Sequence, residues 1–175
     1  MEFVEKVPKT ALDVFRMLPE GTLCEVISNT LYMSPTPLTF HQELVSLIGR
    51  RIGNHVELHN LGKTYVAPVD VYFENLVSAV QPDILFISTD RLSVVHEKGI
   101  YGAPDLIVEV LSEDRKRDTV LKKQLYEQAS VKEYFIVDPA DKKLVRYDLD
   151  NGSFITGFES TGLFTSALLQ LEFTF

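Results

Sequence analysis

The chain has 175 residues, of which 45% are hydrophobic and 24% charged, and carries a formal net charge of −8. That size suits one domain with a sizeable core. No apolar run approaches the roughly 20 residues that span a bilayer. The start, Met1-Glu2-Phe3-Val4-Glu5-Lys6, lacks a secretory leader pattern, and a lone cysteine, Cys24, excludes a disulfide framework, so a cytoplasmic location is expected. An acidic chain is a poor general binder of phosphate. However, residues 115–123 concentrate Arg115, Lys116, Arg117, Lys122 and Lys123 against one acid, Asp118.

In chain order, Thr10-Ala11-Leu12-Asp13 resembles a capping box and predicts a short helix over 10–18, ended by Pro19-Glu20-Gly21. Residues 23–27 and 30–33 read as strands around a Ser28-Asn29 turn. Thr36-Pro37 predicts an N-cap with proline at the first helical position. The helix that follows runs to about Ile52, with Leu44, Val45, Leu47, Ile48 and Ile52 as its apolar stripe. Strands are predicted over 65–73, 80–88 and 105–111, then a helix over 116–129 and a strand over 133–137 stopped by Asp138-Pro139. Antiparallel strands around Asp150-Asn151-Gly152 end the chain. This order predicts a single α/β domain with a mixed central sheet flanked by helices.

The chemistry concentrates in the strand Leu106-Ile107-Val108-Glu109-Val110-Leu111. A carboxylate inside an apolar, β-branched run must be paired, protonated or bound to a metal, because burying an unpaired charge is costly. Gln81-Pro82-Asp83-Ile84-Leu85-Phe86-Ile87 places a second acid at the mouth of a second apolar strand. Asp105 lies four residues before Glu109 on one strand, roughly 13 Å away at about 3.3 Å per residue. Two ligands of one Mg²⁺ each sit at about 2.1 Å from it, so Asp105 and Glu109 do not share an ion. Asp83, on another strand, can do so if the strands are neighbours. Two strand acids and a lysine are the minimal parts of a metal-dependent phosphodiesterase site.

Asp118, Lys122 and Tyr126, at i, i+4 and i+8, share one helical stripe bordering Leu121 and Leu125, from which Lys122 reaches the sheet edge without being buried. His41 lies on the apolar face of its helix, either as a satisfied core histidine or lining a site. Arg115, Lys116 and Arg117 form either a solvated face or a phosphate contact. His55-Val56-Glu57-Leu58-His59 has its glutamate in the wrong place for a zinc-protease helix. No Walker loop, dinucleotide-binding glycine turn or nucleophile elbow is present.

The chain resembles the bacterial Uma-two family of restriction endonucleases, a branch of the PD-(D/E)XK nuclease superfamily. The resemblance runs from Leu23-Cys24-Glu25-Val26-Ile27 and Leu31-Tyr32-Met33-Ser34-Pro35 through His41-Gln42 to Val131-Lys132-Glu133-Tyr134-Phe135-Ile136-Val137-Asp138-Pro139. It is strongest at Gln81-Pro82-Asp83, at Gly102-Ala103-Pro104-Asp105-Leu106-Ile107-Val108-Glu109-Val110-Leu111-Ser112, and at Asp118 with Lys122 and Tyr126. It implies a restriction-endonuclease-like core with extra N- and C-terminal strands and Mg²⁺- or Mn²⁺-dependent cleavage of DNA. By position Asp83 and Glu109 match the superfamily's two acids. Leu111 stands where the usual lysine would be, and the resemblance implies that Lys122 takes that role.

The resulting expectation is a metal-dependent endonuclease. Asp83, Glu109 and the Val110 carbonyl hold the ion, and Lys122 orients water or stabilises charge. His41, Gln81, Ser112, Asp118 and Tyr126 line the site, and Arg115, Lys116 and Arg117 meet the phosphate backbone. A homodimer is expected, since each site cuts one strand. The rival expectation is a catalytically silent nuclease fold serving as a binding or assembly module, favoured by the displaced lysine and the acidic charge.

Overall fold

The strands that carry the two acids are apolar on both faces because the sheet they form is covered on both faces. The computed structural model describes residues 7–112 and 114–175; the start read above for a leader lies outside the described residues. In chain order these form α1 (Ala11–Met17), β1 (Cys24–Ile27), β2 (Thr30–Met33), α2 (Thr39–Leu58), β3 (Gly62–Val66), β4 (Val71–Phe73), β5 (Ser78–Val80) and β6 (Ile84–Ser88). Then come β7 (Val95–His96), β8 (Gly99–Tyr101), β9 (Leu106–Val110), a π-helical turn (Arg117–Lys122) running into α3 (Lys123–Gln128), and β10 (Glu133–Val137). The chain ends in β11 (Lys143–Asp150), β12 (Ser153–Thr161), β13 (Leu163–Ser166) and β14 (Leu171–Thr174).

The main sheet has the order β12-β11-β10-β9-β6-β3 and is mixed: β9 and β10 are parallel, and the other pairs are antiparallel. On one face lies α2, whose Leu44, Val45, Ile48, Ile52 and Val56 pack on Ile84, Phe86, Val108, Val110 and Phe135. Each such side chain contributes about 1.5–3 kcal/mol when fully buried. On the other face Leu85, Ile87, Ile107 and Tyr134 meet Leu125 and Tyr126 of α3 and Ile27, Val71 and Val80 of a second sheet. That sheet has the order β2-β1-β5-β4-β8-β7. Its outer face is covered by Leu12 and Phe15 of α1. Among the described residues no helix is long and apolar enough to cross a membrane.

The pleat aims the acids. Along β9, Leu106, Val108 and Val110 face α2, while Ile107 and the following Leu111 face the layer between the sheets. Glu109, with the odd-numbered set, therefore faces that layer. By the same alternation Asp83, just before β6, shares the side of Leu85 and Ile87, and Glu25 in β1 shares the side of Ile27. The antiparallel register Ile84↔Val108 brings Asp83 beside Glu109 when continued by one residue.

Several predicted boundaries change. The capping box of α1 is present, with Thr10 Oγ1 accepting from the Asp13 N–H at 3.1 Å. Helix α2 starts later, after Leu38, without a side-chain cap, and runs on to Leu58, so Thr36-Pro37 belongs to the preceding loop. The single strands expected over 65–73 and 80–88 are each divided between the two sheets. The breaks fall at Pro68 and Pro82, which have no N–H to continue a ladder.

Candidate active site

Three carboxylates, one from each of β1, β9 and the helix after β9, converge on one ammonium. Lys122 Nζ lies 2.9 Å from Glu25 Oε1, 3.0 Å from Glu109 Oε1 and 3.8 Å from Asp118 Oδ1. Lys122 is 4% exposed. The expectation that it reaches the sheet edge unburied is thus corrected. A lysine is tolerated here because three anions offset its desolvation. Burial pulls its pKa down, but Glu109, Glu25 and Asp118 outweigh that and hold it above the ordinary lysine range.

Glu109 is 2% exposed, and its Oε1 also accepts from the Tyr126 hydroxyl at 2.6 Å. Burial pushes its carboxyl well above the ordinary range; Lys122 opposes this, while Asp83, Asp118 and Glu25 add to it. Burial likewise raises Asp118, whose Oδ2 accepts from the Ser112 N–H at 3.3 Å and hydroxyl at 3.2 Å. Tyr126 is raised well above the phenol range by burial and by the Glu109 charge, so it stays a donor.

Asp83 is held differently. Its Oδ2 accepts from the Val110 N–H at 2.8 Å, and His41 Nε2 lies 3.2 Å from the same oxygen. Burial draws the His41 imidazole down, but the hydrogen bond and charge of Asp83 outweigh it and raise the net value, with the Val110 carbonyl adding to this. Helix α2 therefore supplies both a hydrophobic wall and one polar contact to the site. Asp105, the other strand acid, is engaged elsewhere: it accepts from the Ser88 N–H at 2.8 Å and pairs with Arg91 at 3.0 Å and Lys132 at 2.7 Å.

The Uma2 family model, described as "Putative restriction endonuclease", matches residues 12–171. The chain belongs to the Uma2 family. It also resembles the crystal structure of a putative nuclease belonging to DUF820 from Anabaena variabilis ATCC 29413, with a TM-score of 0.76, 21% identity and 95% of each chain covered; at that identity the likeness concerns the fold. No curated protein matches. Membership of the Uma2 family supports a nuclease function for the chain.

In this Uma2 chain the structure brings together Asp83, Glu109, Val110, Lys122, Asp118, Tyr126, Ser112 and His41. It adds Gln81, whose N–H donates to Glu25 Oε1 at 2.9 Å and whose amide donates to Asp70 at 2.8 Å. The basic run is split. Arg117 is buried, with Nε 3.9 Å from Glu25 Oε2 and a guanidinium nitrogen 3.4 Å from the Ser34 hydroxyl. Arg115 pairs with Asp138 at the surface, and Lys116 is exposed but does not line the cleft. Lys123 points away, its ammonium 3.8 Å from the Tyr147 ring centre.

Glu25 is the residue that the sequence reading passed over. Its signal was the one used for Glu109: an acid inside an apolar strand, here Cys24-Glu25-Val26-Ile27, all four buried. With Asp83 and Asp118 the cleft holds four carboxylates against three cations, Lys122, Arg117 and Arg115, the last also paired with Asp138.

Proposed function

We propose that this chain is a metal-dependent endonuclease that hydrolyses phosphodiester bonds of DNA. The observation that carries the reading is the pair Asp83 and Glu109 on adjacent strands, with the charged end of Lys122 3.0 Å from Glu109. The donor set suits the ion. Carboxylate and carbonyl oxygens are hard ligands, and Mg²⁺ keeps several waters and takes only one or two carboxylates. Among the described residues no group of three or more His, Cys, Asp or Glu side chains is placed to hold a metal ion, so the donor set is limited to two carboxylates and a carbonyl. The acids of the cleft crowd one another, Asp83, Asp118 and Glu25 each pushing Glu109 upward, and a bound cation would relieve that repulsion. Asp83, Glu109 and the Val110 carbonyl would hold Mg²⁺ or Mn²⁺. Bound there, the ion supplies Lewis-acid activation of water and neutralises phosphate charge.

The chain's own residues do the rest. Tyr126 and Lys122 together fix one oxygen of Glu109. Val110 N–H and His41 fix one oxygen of Asp83, which orients its other oxygen into the cleft. Lys122 keeps a full positive charge at neutral pH, placed where negative charge grows on the scissile phosphate. Such a preset charge in a buried site costs no reorganisation during reaction.

The test is a Mn²⁺ titration with cleavage of single-stranded and plasmid DNA by the wild type, Asp83→Asn and Glu109→Gln. Loss of ion binding and of cleavage in both folded variants is expected; unchanged Mn²⁺ affinity in both would sink the assignment. The second reading, a catalytically silent nuclease fold, is favoured by one observation: Lys122 is tied by three carboxylates and comes from a helix, with Leu111 at the usual strand position. A wild type that binds no Mn²⁺ at micromolar to millimolar levels would favour it.

A further inference from the structure

The cleft that ends on Glu25, Asp83, Glu109 and Lys122 has a volume of about 760 Å³, within the range of sites that enclose a small organic ligand. Its inner end is charged, and its mouth is largely apolar, with Thr36, Gln42 and the Asp138-paired Arg115 among the exposed lining. Leu23, Pro35, Pro37, Leu38 and Phe40 form the mouth with Pro139, from the turn after β10. Phe40 is 72% exposed and lies in the first turn of α2, next to His41, which contacts Asp83. A large exposed aromatic beside a buried polar centre gains nothing for the core. Leu38, two residues earlier, is also exposed, at 64%.

The charges at this mouth do not suit a duplex. An intact double helix hides its bases and offers phosphates, so its binding is dominated by free lysines and arginines. Here Arg115 is engaged by Asp138, and Arg117 is buried against Glu25 and Ser34. The chain as a whole carries −8. A single strand offers something else: every unpaired base has a π-face that stacks on an aromatic ring without sequence preference.

We propose that the apolar mouth holds an unpaired base on Phe40, so that the strand presented to the carboxylates is single-stranded DNA. The inference rests on the nuclease reading for the phosphate that follows the base into the cleft. It assigns to Phe40 a role in choosing the substrate's strandedness.

The test is binding of a labelled single-stranded oligonucleotide and of its duplex, in EDTA and across a salt series, with cleavage of both measured separately in Mn²⁺. The wild type should bind the single strand more tightly than the duplex. With Arg115 and Arg117 already engaged, the log–log salt slope should be shallow, about −0.7 or less steep, as for at most one neutralised phosphate on a single strand. Phe40→Ala should weaken single-strand binding about 5- to 150-fold, the range for losing one base–aromatic stack. Phe40→Trp should restore it. Because the ring is exposed, both variants should melt with the wild type. Duplex binding equal to or tighter than single-strand binding, or a Phe40→Ala variant that binds as the wild type does, overturns the proposal. If the duplex is nevertheless cleaved with metal, the nuclease reading survives that failure. If single strands bind through Phe40 and no strand is cleaved in Mn²⁺, the nuclease reading fails and the base-binding mouth stands.

Discussion

The Tyr126 hydroxyl donates to Glu109 Oε1 at 2.6 Å, the same oxygen that Lys122 approaches at 3.0 Å. Two donors from successive turns of one helical segment thus clamp one acid of a neighbouring strand. Tyr126→Phe removes one donor and little volume. It should lower stability by about 1.5–3 kcal/mol, the scale of a hydrogen bond to a charged group. It should also weaken Mn²⁺ binding about 10- to 100-fold, as losing a partner behind a ligand does. Urea unfolding and a metal titration check the two numbers; unchanged affinity would mean that Lys122 alone orients Glu109.

Lys122→Met should be costly for the fold, because Glu25, Glu109 and Asp118 would lose their shared cation. Removing one partner of a buried ion pair costs about 3–5 kcal/mol. Cleavage, measured where the variant is still folded, should fall by roughly 10² or more. Lys123→Met loses only its contact with the half-buried Tyr147 ring, worth about 0.5–2 kcal/mol, and should cleave normally. Equal cleavage by the two variants would remove Lys122 from the chemistry.

Asp105 should govern part of the acid limb of stability. Burial pushes its carboxyl up, but Lys132, the Ser88 N–H and Arg91 outweigh this and hold it below the ordinary value. The unfolded chain then binds more protons than the folded one between the two values. The stabilisation is present above the unfolded value and is lost as pH falls through the folded one. Urea midpoints from about pH 5 downwards should therefore fall more steeply for the wild type than for Asp105→Asn. The variant should keep its Mn²⁺ affinity, since Asp105 is committed to Arg91 and Lys132; a loss of affinity would bring Asp105 back as a ligand.

Gly157 faces a side chain at close range. The β11–β12 register shifts between Arg146 and Tyr147, leaving Gly157 opposite no partner. A Cβ there would lie 1.8 Å from Asp148 Oδ2, which accepts from Arg146 at 2.9 Å. Gly157→Ala should displace Asp148, leave the buried Arg146 with only the Thr165 carbonyl at 2.9 Å, and cost about 1–3 kcal/mol. Thermal melting measures it, and Mn²⁺ binding, remote from this pair, should be unchanged.

The acids at Asp83 and Glu109 were legible because each breaks an apolar strand, and the strand spacing set Asp105 apart from Glu109. Glu25 carried the same signal in a strand too short to reveal that both its faces are covered. The depth of Lys122 was not legible, because a stripe drawn at 3.6 residues per turn assumes an α-helix, whereas Arg117–Lys122 is π-helical. The second sheet was hidden because Pro68 and Pro82 sit inside runs whose β-branched residues read as continuous strands. Their role as places where the chain changes sheets depends on partners far away in sequence.

The widened turn at Arg117–Lys122 makes the chain length between Ser112 and Tyr126 part of the chemistry. Asp118 at its start bonds Ser112, while Lys122 at its end and Tyr126 beyond it bond Glu109. Deleting one residue inside the turn would let it relax to an ordinary α-helix, with Asp118 and Lys122 three residues apart instead of four, and the spacing that lets one meet Ser112 and the other Glu109 would be lost. The Asp150–Ser153 hairpin tip, which touches no part of the cleft, can change length freely. Among natural or engineered length variants, gaps should therefore gather at that tip and be absent between Ser112 and Tyr126, even where the residues between them differ.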